Sequence, residues 1–459
     1  MYKRKLSDDE TAQMIRYAAR PPLENANKIV DTGLDVVGIF GDKRNHVHDA
    51  FGLKVEPKML TVNGRILTSP RILYKGTQHT DPVAGSWNMI NIQFSVPKAI
   101  RQWSYLRFNL PNVYRRPGDE FAQDIKVFQK TLKDCGLGNE EPLRFPKHEF
   151  ELTYDEEQND QEINRVLGLI TDKTDAKILL IVLPNTNAIT YARIKYWADV
   201  FYGIHTVCVV GSNKKFYNNF GSKQIQYCTN VALKFNLKAG GVNHALPPEK
   251  LGMLKDGKTM VVGIDVTHPS PGSIEKVPSI AGVVASIDKQ YAQWPASIRP
   301  QKSRQEMVDN LDQMIIERLQ LWRKHNANAL PDKILVYRDG VSEGQYETVL
   351  NDELPAIKKA CEKLYGKTPQ PKMSIIIVGK RHHTRFYPTS TDDCDQNGNT
   401  KNGTVVDRGI TMERGWDFFL QAHTCLQGTA RPAHYVVIRD EIGLGVDGLE
   451  QMVSDSVYR

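Results

Sequence analysis

Two aspartates stand where carboxylates could work as a pair. Asp265 lies inside "VVGIDVTHPS", an apolar strand-like run closed by Pro269, which has no N–H to give to a ladder. Asp339 closes "KILVYRD" immediately before Gly340. An ionised carboxylate buried in mid-strand is expensive unless it is paired or coordinates a metal, so Asp265 is expected to be a buried group with a task. Asp339 alone reads equally well as a turn-forming aspartate before glycine. On neighbouring strands the two would need a cation between them, and hard oxygen ligands select magnesium or manganese. Glu306, in "KSRQEMVDNL", is the third candidate. At the start of a long predicted helix it also reads as an ordinary glutamate favoured by the helix dipole. Such a site serves in-line phosphodiester hydrolysis, one metal ion activating water and the other steadying the leaving oxygen.

A second group is cationic. Tyr191 and Lys195 are four apart on one predicted helix, and Lys234 and Lys238 are four apart on another, so each pair shares a face. A single lysine pair is usually solvated helix surface. Three lysines and a tyrosine that converge would make a phosphate cradle with an aromatic platform for a base.

The elements that must position these groups fall into three stretches. Residues 1–96 are mixed, with strand-like "LKVEPKMLTVNGRIL", a hairpin signal at Asn63-Gly64 and many turn residues, as in a linker. Residues 97–248 alternate helix-like segments with apolar runs such as "AKILLIVLP" and "TVCVVG", the pattern of a parallel sheet covered on both faces. From residue 249 the order is three strands, a helix, then strand and helix in alternation, which resembles the ribonuclease H order. In that order the first strand carries an acidic residue and the fourth ends beside it with another. "STDDCDQNGNTKNG" reads as a surface loop.

Composition sets bounds. The chain has 459 residues, 40% hydrophobic and 25% charged, enough for two or three globular domains. Sixty Lys plus Arg against 53 Asp plus Glu give +7, a mild basic excess that suits a polyanionic partner. No apolar run is long enough to span a membrane and the N-terminus lacks a signal-peptide core, so a cytoplasmic protein without a membrane partner is expected, the nucleus being the alternative. The six cysteines lack CxxC spacing and read as free thiols.

Four motifs, "DVTHP", "YRDGVSEGQ", "KRHHTR" and "QGTARP", in this order and separation resemble the PIWI domain of eukaryotic Argonaute proteins. "LKAGGVNHAL" and "IVLPNTNAITYARIK" resemble the MID domain, and "DDETAQMIRYAARPP" and "RILYKGT" resemble the linker after PAZ. The resemblance implies a linker over 1–96, a Rossmann-like MID domain over 97–248 and a ribonuclease H-like PIWI domain over 249–459, an α/β chain of mixed sheets with flanking helices. It implies an RNA-silencing protein that anchors the 5′-phosphate of a small guide RNA and cleaves complementary target RNA, assisted by the proteins of a silencing complex.

Residue by residue, Asp265 and Asp339 match the metal-binding aspartates of the slicing site, and Glu306 matches the inserted glutamate finger. Tyr191, Lys195, Lys234 and Lys238 match the residues that hold the guide's 5′-phosphate and stack its first base. Thr206 borders that pocket, and Val207 stands where many relatives have glutamine. Asn185, Thr186 and Asn187 match the loop that reads the first base, though all three are also plain turn formers. Lys380, Arg381, His383, Arg385, His423, Gln427 and Arg431 look like guide-backbone contacts, which position an RNA without reading it. The family's fourth catalytic group is a C-terminal histidine, and neither His423 nor His434 fits its place. The sequence stops at "LEQMVSDSVYR" before that segment and begins inside the second linker, so it reads as a fragment or a truncated gene model. It is expected to hold guide and target while cutting little. The rival expectation is a guide- and target-binding silencing protein without cleavage.

Overall fold

The computed structural model describes residues 6–40, 50–211, 222–270, 272–273 and 276–458. The chain divides into two compact units, one formed by Met1–Pro70, Asp81–Ser86 and Leu246–Arg459, the other by Arg71–Thr80 and Trp87–Ala245. The larger unit opens with helices α1 (Asp8–Ala18) and α2 (Pro22–Lys28) and a short strand β1 (Arg65–Ile66). Ser7 caps α1 in a reciprocal capping box with Glu10.

The smaller unit carries a two-stranded antiparallel ladder, Ile72–Leu73 with His79–Thr80, and is built around a four-stranded parallel sheet. In chain order its elements are β2 (Trp103–Asn109), α3 (Gly118–Asp134), β3 (Glu149–Glu151), α4 (Glu156–Lys173), β4 (Ile178–Leu183), α5 (Ala188–Lys195), β5 (His205–Val210) and α6 (Ser222–Lys238). The strands lie in the order β3-β2-β4-β5, so the chain reverses direction across the sheet after β3. All six residues of β4 are buried, as a central strand covered on both faces requires. Phe121, Ile125, Phe128 and Leu132 of α3 pack one face and Ile163, Val166, Leu167 and Ile170 of α4 the other, each set at helical spacing.

The larger unit continues with β6 (Thr259–Thr267), β7 (Ser279–Ala285), β8 (Ala296–Gln301), α7 (Leu311–His325), β9 (Lys333–Asp339), α8 (Leu354–Tyr365), β10 (Lys372–Gly379), β11 (Thr404–Val406), β12 (Asp417–Gln421), β13 (Ala433–Asp440) and α9 (Val446–Ser456). These strands and β1 make one nine-stranded mixed sheet, ordered β1-β11-β12-β13-β10-β9-β6-β7-β8. Strand β9 runs parallel to both β6 and β10, and β7 and β13 run antiparallel to their neighbours. Met260, Val262 and Ile264 face the core formed with α7 and α8, whereas Val261 and Leu335 face the core under α9.

This alternation corrects the expectation for Asp265. The residue follows Val261 and Gly263 onto the second face, which is no longer covered at this end of β6, and its side chain is exposed rather than buried. The Asn63-Gly64 hairpin is also absent. Arg65 and Ile66 pair instead with Val405 and Thr404, because β11 offers a free sheet edge to a short extended segment.

Candidate functional site

Asp265 and Asp339 come together through strand register. Arg338 is paired with Ile264, and the two aspartates occupy the next position on β9 and β6, on the same sheet face. Gly340 turns the chain at this point with φ +92, where a Cβ would stand 2.7 Å from Oε1 of Glu306 and 3.6 Å from Oδ1 of Asp265. The glycine is what lets the third carboxylate enter beside the first. Asp265 Oδ1 accepts the N–H of Val266 at 2.8 Å. Asp339 Oδ2 accepts from Nζ of Lys380 at 2.7 Å, an ion pair whose lysine is exposed.

Glu306 is not on a helix. Helix α7 begins only at Leu311, and Glu306 sits in the preceding loop, which is pinned by side chains rather than by a ladder. Nε2 of Gln301 donates to the carbonyls of Gln305 and Met307 at 2.8 and 3.0 Å, and Glu353 Oε1 accepts the N–H of Val308 at 3.1 Å. Arg304 and Asn310 take positive φ on either side of Glu306, so its segment cannot join the helix. Its carboxylate is largely buried and held from two sides. Nη1 of Arg338 donates to Oε1 at 2.9 Å, and Nε2 of His268 lies 2.8 Å from Oε2. A carboxylate only accepts, so His268 carries its proton on Nε2. Nδ1 of the same ring lies 2.8 Å from Ser279 Oγ, which also accepts the N–H of Arg304.

Arg338 is fully buried and binds two carboxylates. Its Nε donates to Oε2 of Glu353 at 2.9 Å, and its Nη2 donates to Oε1 of Glu353 at 3.0 Å and to the carbonyl of Glu306 at 2.7 Å. Only a guanidinium presents donors in this fork. His268, Arg338 and Glu353 were missed by sequence reasoning. His268 and Arg338 lie inside the quoted motifs "DVTHP" and "YRDG", but a partner across the fold leaves no local signal.

In the smaller unit the cationic group converges. Tyr191 and Lys195 lie on α5, Lys234 and Lys238 on α6, and Thr206 is the second residue of β5. Nζ of Lys195 donates to the carbonyl of Thr206 at 2.8 Å and to its hydroxyl at 2.6 Å, 5.6 Å from the centre of the Tyr191 ring. Asp199 lies 3.4 Å from the same ammonium. Burial, then the charge of Lys195, pushes the Lys238 ammonium below its usual range. The charges of Lys195, Asp199, Lys238 and Lys234 all reach the Cys208 thiol, which burial raises to about 11.

The loop before α5 has a structural task of its own. Asn187 caps the helix by accepting from the N–H of Thr190 at 2.9 Å, and Asn185 accepts the N–H of Asn187 at 3.0 Å. Thr186 is exposed. In the larger unit Arg431 donates to the carbonyl of Lys380 at 3.3 Å, and burial, then Arg431, pushes the Arg385 guanidinium below its usual range, so these three cations gather after β10. Arg381, His383, His423 and Gln427 are exposed on the loops around them. His434 is a structural residue, 2.6 Å from Oδ2 of buried Asp417 and stacked on Phe419.

The Piwi domain family model matches residues 178–458 and the Argonaute linker 2 domain model residues 24–74. The Schizosaccharomyces pombe protein argonaute is 31% identical over 463 residues, covering 100% of this chain and 53% of that protein. Argonaute 2 of Oryza sativa is 33% identical over 425 residues, 90% of this chain and 40% of that one. The crystal structure of Kluyveromyces polysporus Argonaute with a guide RNA superposes with TM-score 0.81 at 26% identity, over 98% of this chain and 52% of that one. The C-terminal lobe of a budding yeast Argonaute gives 0.72 at 28%, over 85% and 82%. The chain thus spans about half the length of the relatives it matches. A ribonuclease H-like sheet that carries Asp265 and Asp339 to the same end of β6 and β9 with Glu306 beside Asp265, a parallel-sheet unit where three lysines gather, and a Piwi match over more than half its residues place this chain in the Argonaute family.

Proposed function

We propose that this chain acts in RNA-guided silencing, anchoring the 5′-phosphate of a small guide RNA through Tyr191, Lys195, Thr206, Lys234 and Lys238 and hydrolysing a phosphodiester of the paired target RNA at Asp265, Glu306 and Asp339. The observation that carries the reading is the meeting of Glu306 and Asp265 at Gly340, one residue after Asp339. Lys380, Arg381, His383, Arg385, His423, Gln427 and Arg431 hold the guide backbone in this reading, and Asn185, Thr186 and Asn187 face its first base.

The donors fit a divalent metal ion in kind. Asp265 is an exposed carboxylate without a basic partner among the described residues, and Asp339 is the adjacent carboxylate on its face. Among the described residues no group of three His, Cys, Asp or Glu stands ready-made as a metal cluster, and Asp339 would have to turn from Lys380 to join one. Asp265 and Asp339 would hold magnesium or manganese, which when bound makes water more acidic and stabilises charge on the leaving oxygen. The protein's own part is to hold Glu306 fixed in direction through Arg338 and His268, so that no reorganisation is needed when the target arrives.

A second reading, guide and target binding without cleavage, is favoured by one contact. The Lys380 ion pair neutralises Asp339, half of the metal-holding pair. Two assays test these readings, guide binding for the anchor and target cutting for the choice between them. A guide bearing a 5′-phosphate, titrated in a filter-binding assay, should bind at least about tenfold more tightly than its 5′-hydroxyl twin, and Lys195→Ala or Lys238→Ala should erase most of that difference. Guided cutting of a labelled target in magnesium, lost in Asp265→Ala and Glu306→Ala, supports hydrolysis. Retention of guide and target without a cut supports the binder, and equal affinity for both guides sinks the anchoring reading.

A further inference from the structure

The starts of three parallel strands in the smaller unit are linked side by side. The N–H of His205 donates to the carbonyl of Lys177 at 3.0 Å, and the N–H of Lys177 to the carbonyl of Gln102 at 2.8 Å. With the C-terminal end of α6 these strand entries border an open cavity of about 250 Å³ lined by Arg101, Gln102, Lys177, His205 and Lys238 among nine residues, none of them a carboxylate. The space would hold several waters at ~30 Å³ each, and therefore a phosphate group with part of its hydration.

Lys238 belongs to this cavity and to the lysine cradle at once. It feels the charges of Lys195, Asp199 and Lys234, and His205 in turn feels Lys238, Asp199 and Lys195. Burial first, and then the neighbouring cations, push both Lys238 and His205 below their ordinary ranges. Asp199 is the carboxylate that acts on this group, and Lys195 already bridges to it. Arg101 and Lys177 add two further cations to the lining. A concave surface of this kind is electrostatically incomplete, and an anion completes it.

We propose that the Arg101–Lys177–His205–Lys238 cavity is a second phosphate subsite, which takes an additional terminal phosphate when the RNA end in the cradle is a 5′-diphosphate or 5′-triphosphate. The inference rests on the reading of the cradle as the 5′-phosphate site. The shared lysine gives the direction: a phosphate chain beginning at the Lys195–Lys238 pair continues past Lys238 into the cavity. No carboxylate of the lining opposes it.

The test uses the full chain and one RNA sequence prepared with a 5′-hydroxyl, a 5′-monophosphate and a 5′-triphosphate, titrated at fixed salt. The wild-type protein should bind the triphosphate about three- to tenfold more tightly than the monophosphate, as one or two charge-assisted contacts would give. Arg101→Gln combined with Lys177→Glu should remove that gain and leave the preference for monophosphate over hydroxyl. Both side chains are exposed, so unchanged melting temperature verifies the fold. Wild-type binding of the triphosphate no tighter than the monophosphate overturns the subsite. Equal losses for all three RNAs in the double variant also overturn it, since the residues would then serve an internal backbone phosphate. Failure of the parent reading looks different: monophosphate and hydroxyl RNAs would bind alike, and Lys195→Ala would change neither.

Discussion

Nη1 of Arg338 lies 2.9 Å from Oε1 of Glu306, and the same buried guanidinium grips Glu353 through Nε and Nη2. One cation therefore sets two carboxylates whose side chains are 13% and 2% exposed. Arg338→Ala should cost about 3–5 kcal/mol, because both acids stay buried without their partner. Arg338→Lys should cost less, about 1–3 kcal/mol, since one ammonium cannot reproduce the fork. Urea unfolding of the two variants measures both, and a lysine variant as stable as wild type would show that the fork geometry is immaterial.

Gly340 is irreplaceable for two separate reasons. Its φ of +92 disfavours any side chain, and a Cβ would lie 2.7 Å from Oε1 of Glu306. Gly340→Ala is expected to lose about 1–3 kcal/mol and to displace Glu306 from Arg338. Denaturant midpoints read the first effect and a crystal structure of the variant the second. An unshifted Glu306 would remove the glycine from the account of the site.

Metal binding to Asp265 and Asp339 predicts a linked stability change. Magnesium or manganese at about 100 times its dissociation constant should add about 2.7 kcal/mol, seen as a rise in melting temperature. Asp265→Ala should abolish the rise while leaving guide binding intact. A metal-induced rise of the same size in the variant would exclude Asp265 as a ligand.

Asp124 on α3 gives a pH dependence of unusual sign. Burial raises its carboxyl to about 6, against the opposing pull of Arg116 and of Gln224, whose Nε2 donates to it at 3.2 Å. A folded-state value above the unfolded one means that this contribution is complete below the ordinary carboxylate range and is lost as pH rises through about 6. Asp124→Asn should therefore gain stability relative to wild type between pH 4 and pH 7.5, by on the order of 1–3 kcal/mol. Melting temperatures of both proteins across that range decide it, and a gap that widens against the variant as pH rises would refute the assignment.

Local pattern carried much of this protein. The continuous apolar run "ILLIVL" declared a strand covered on both faces, and β4 is buried at all six positions. The four-residue spacing of Tyr191 and Lys195, and of Lys234 and Lys238, put each pair on one helix face because helical geometry is a property of adjacent residues. Asp265 and Asp339 were legible as strand residues for the same reason. Their meeting was not, since it depends on the parallel register that places Arg338 opposite Ile264. Period-two alternation told which residues share a face of β6 but not which face is covered, and so Asp265 read as buried when it is exposed. Glu306 read as helical because nothing local reveals that Gln301 and Glu353 hold its loop apart from α7. The seat of Glu306, the buried fork of Arg338 and the cavity shared through Lys238 were decided only by tertiary structure, because each joins side chains from segments far apart in the chain.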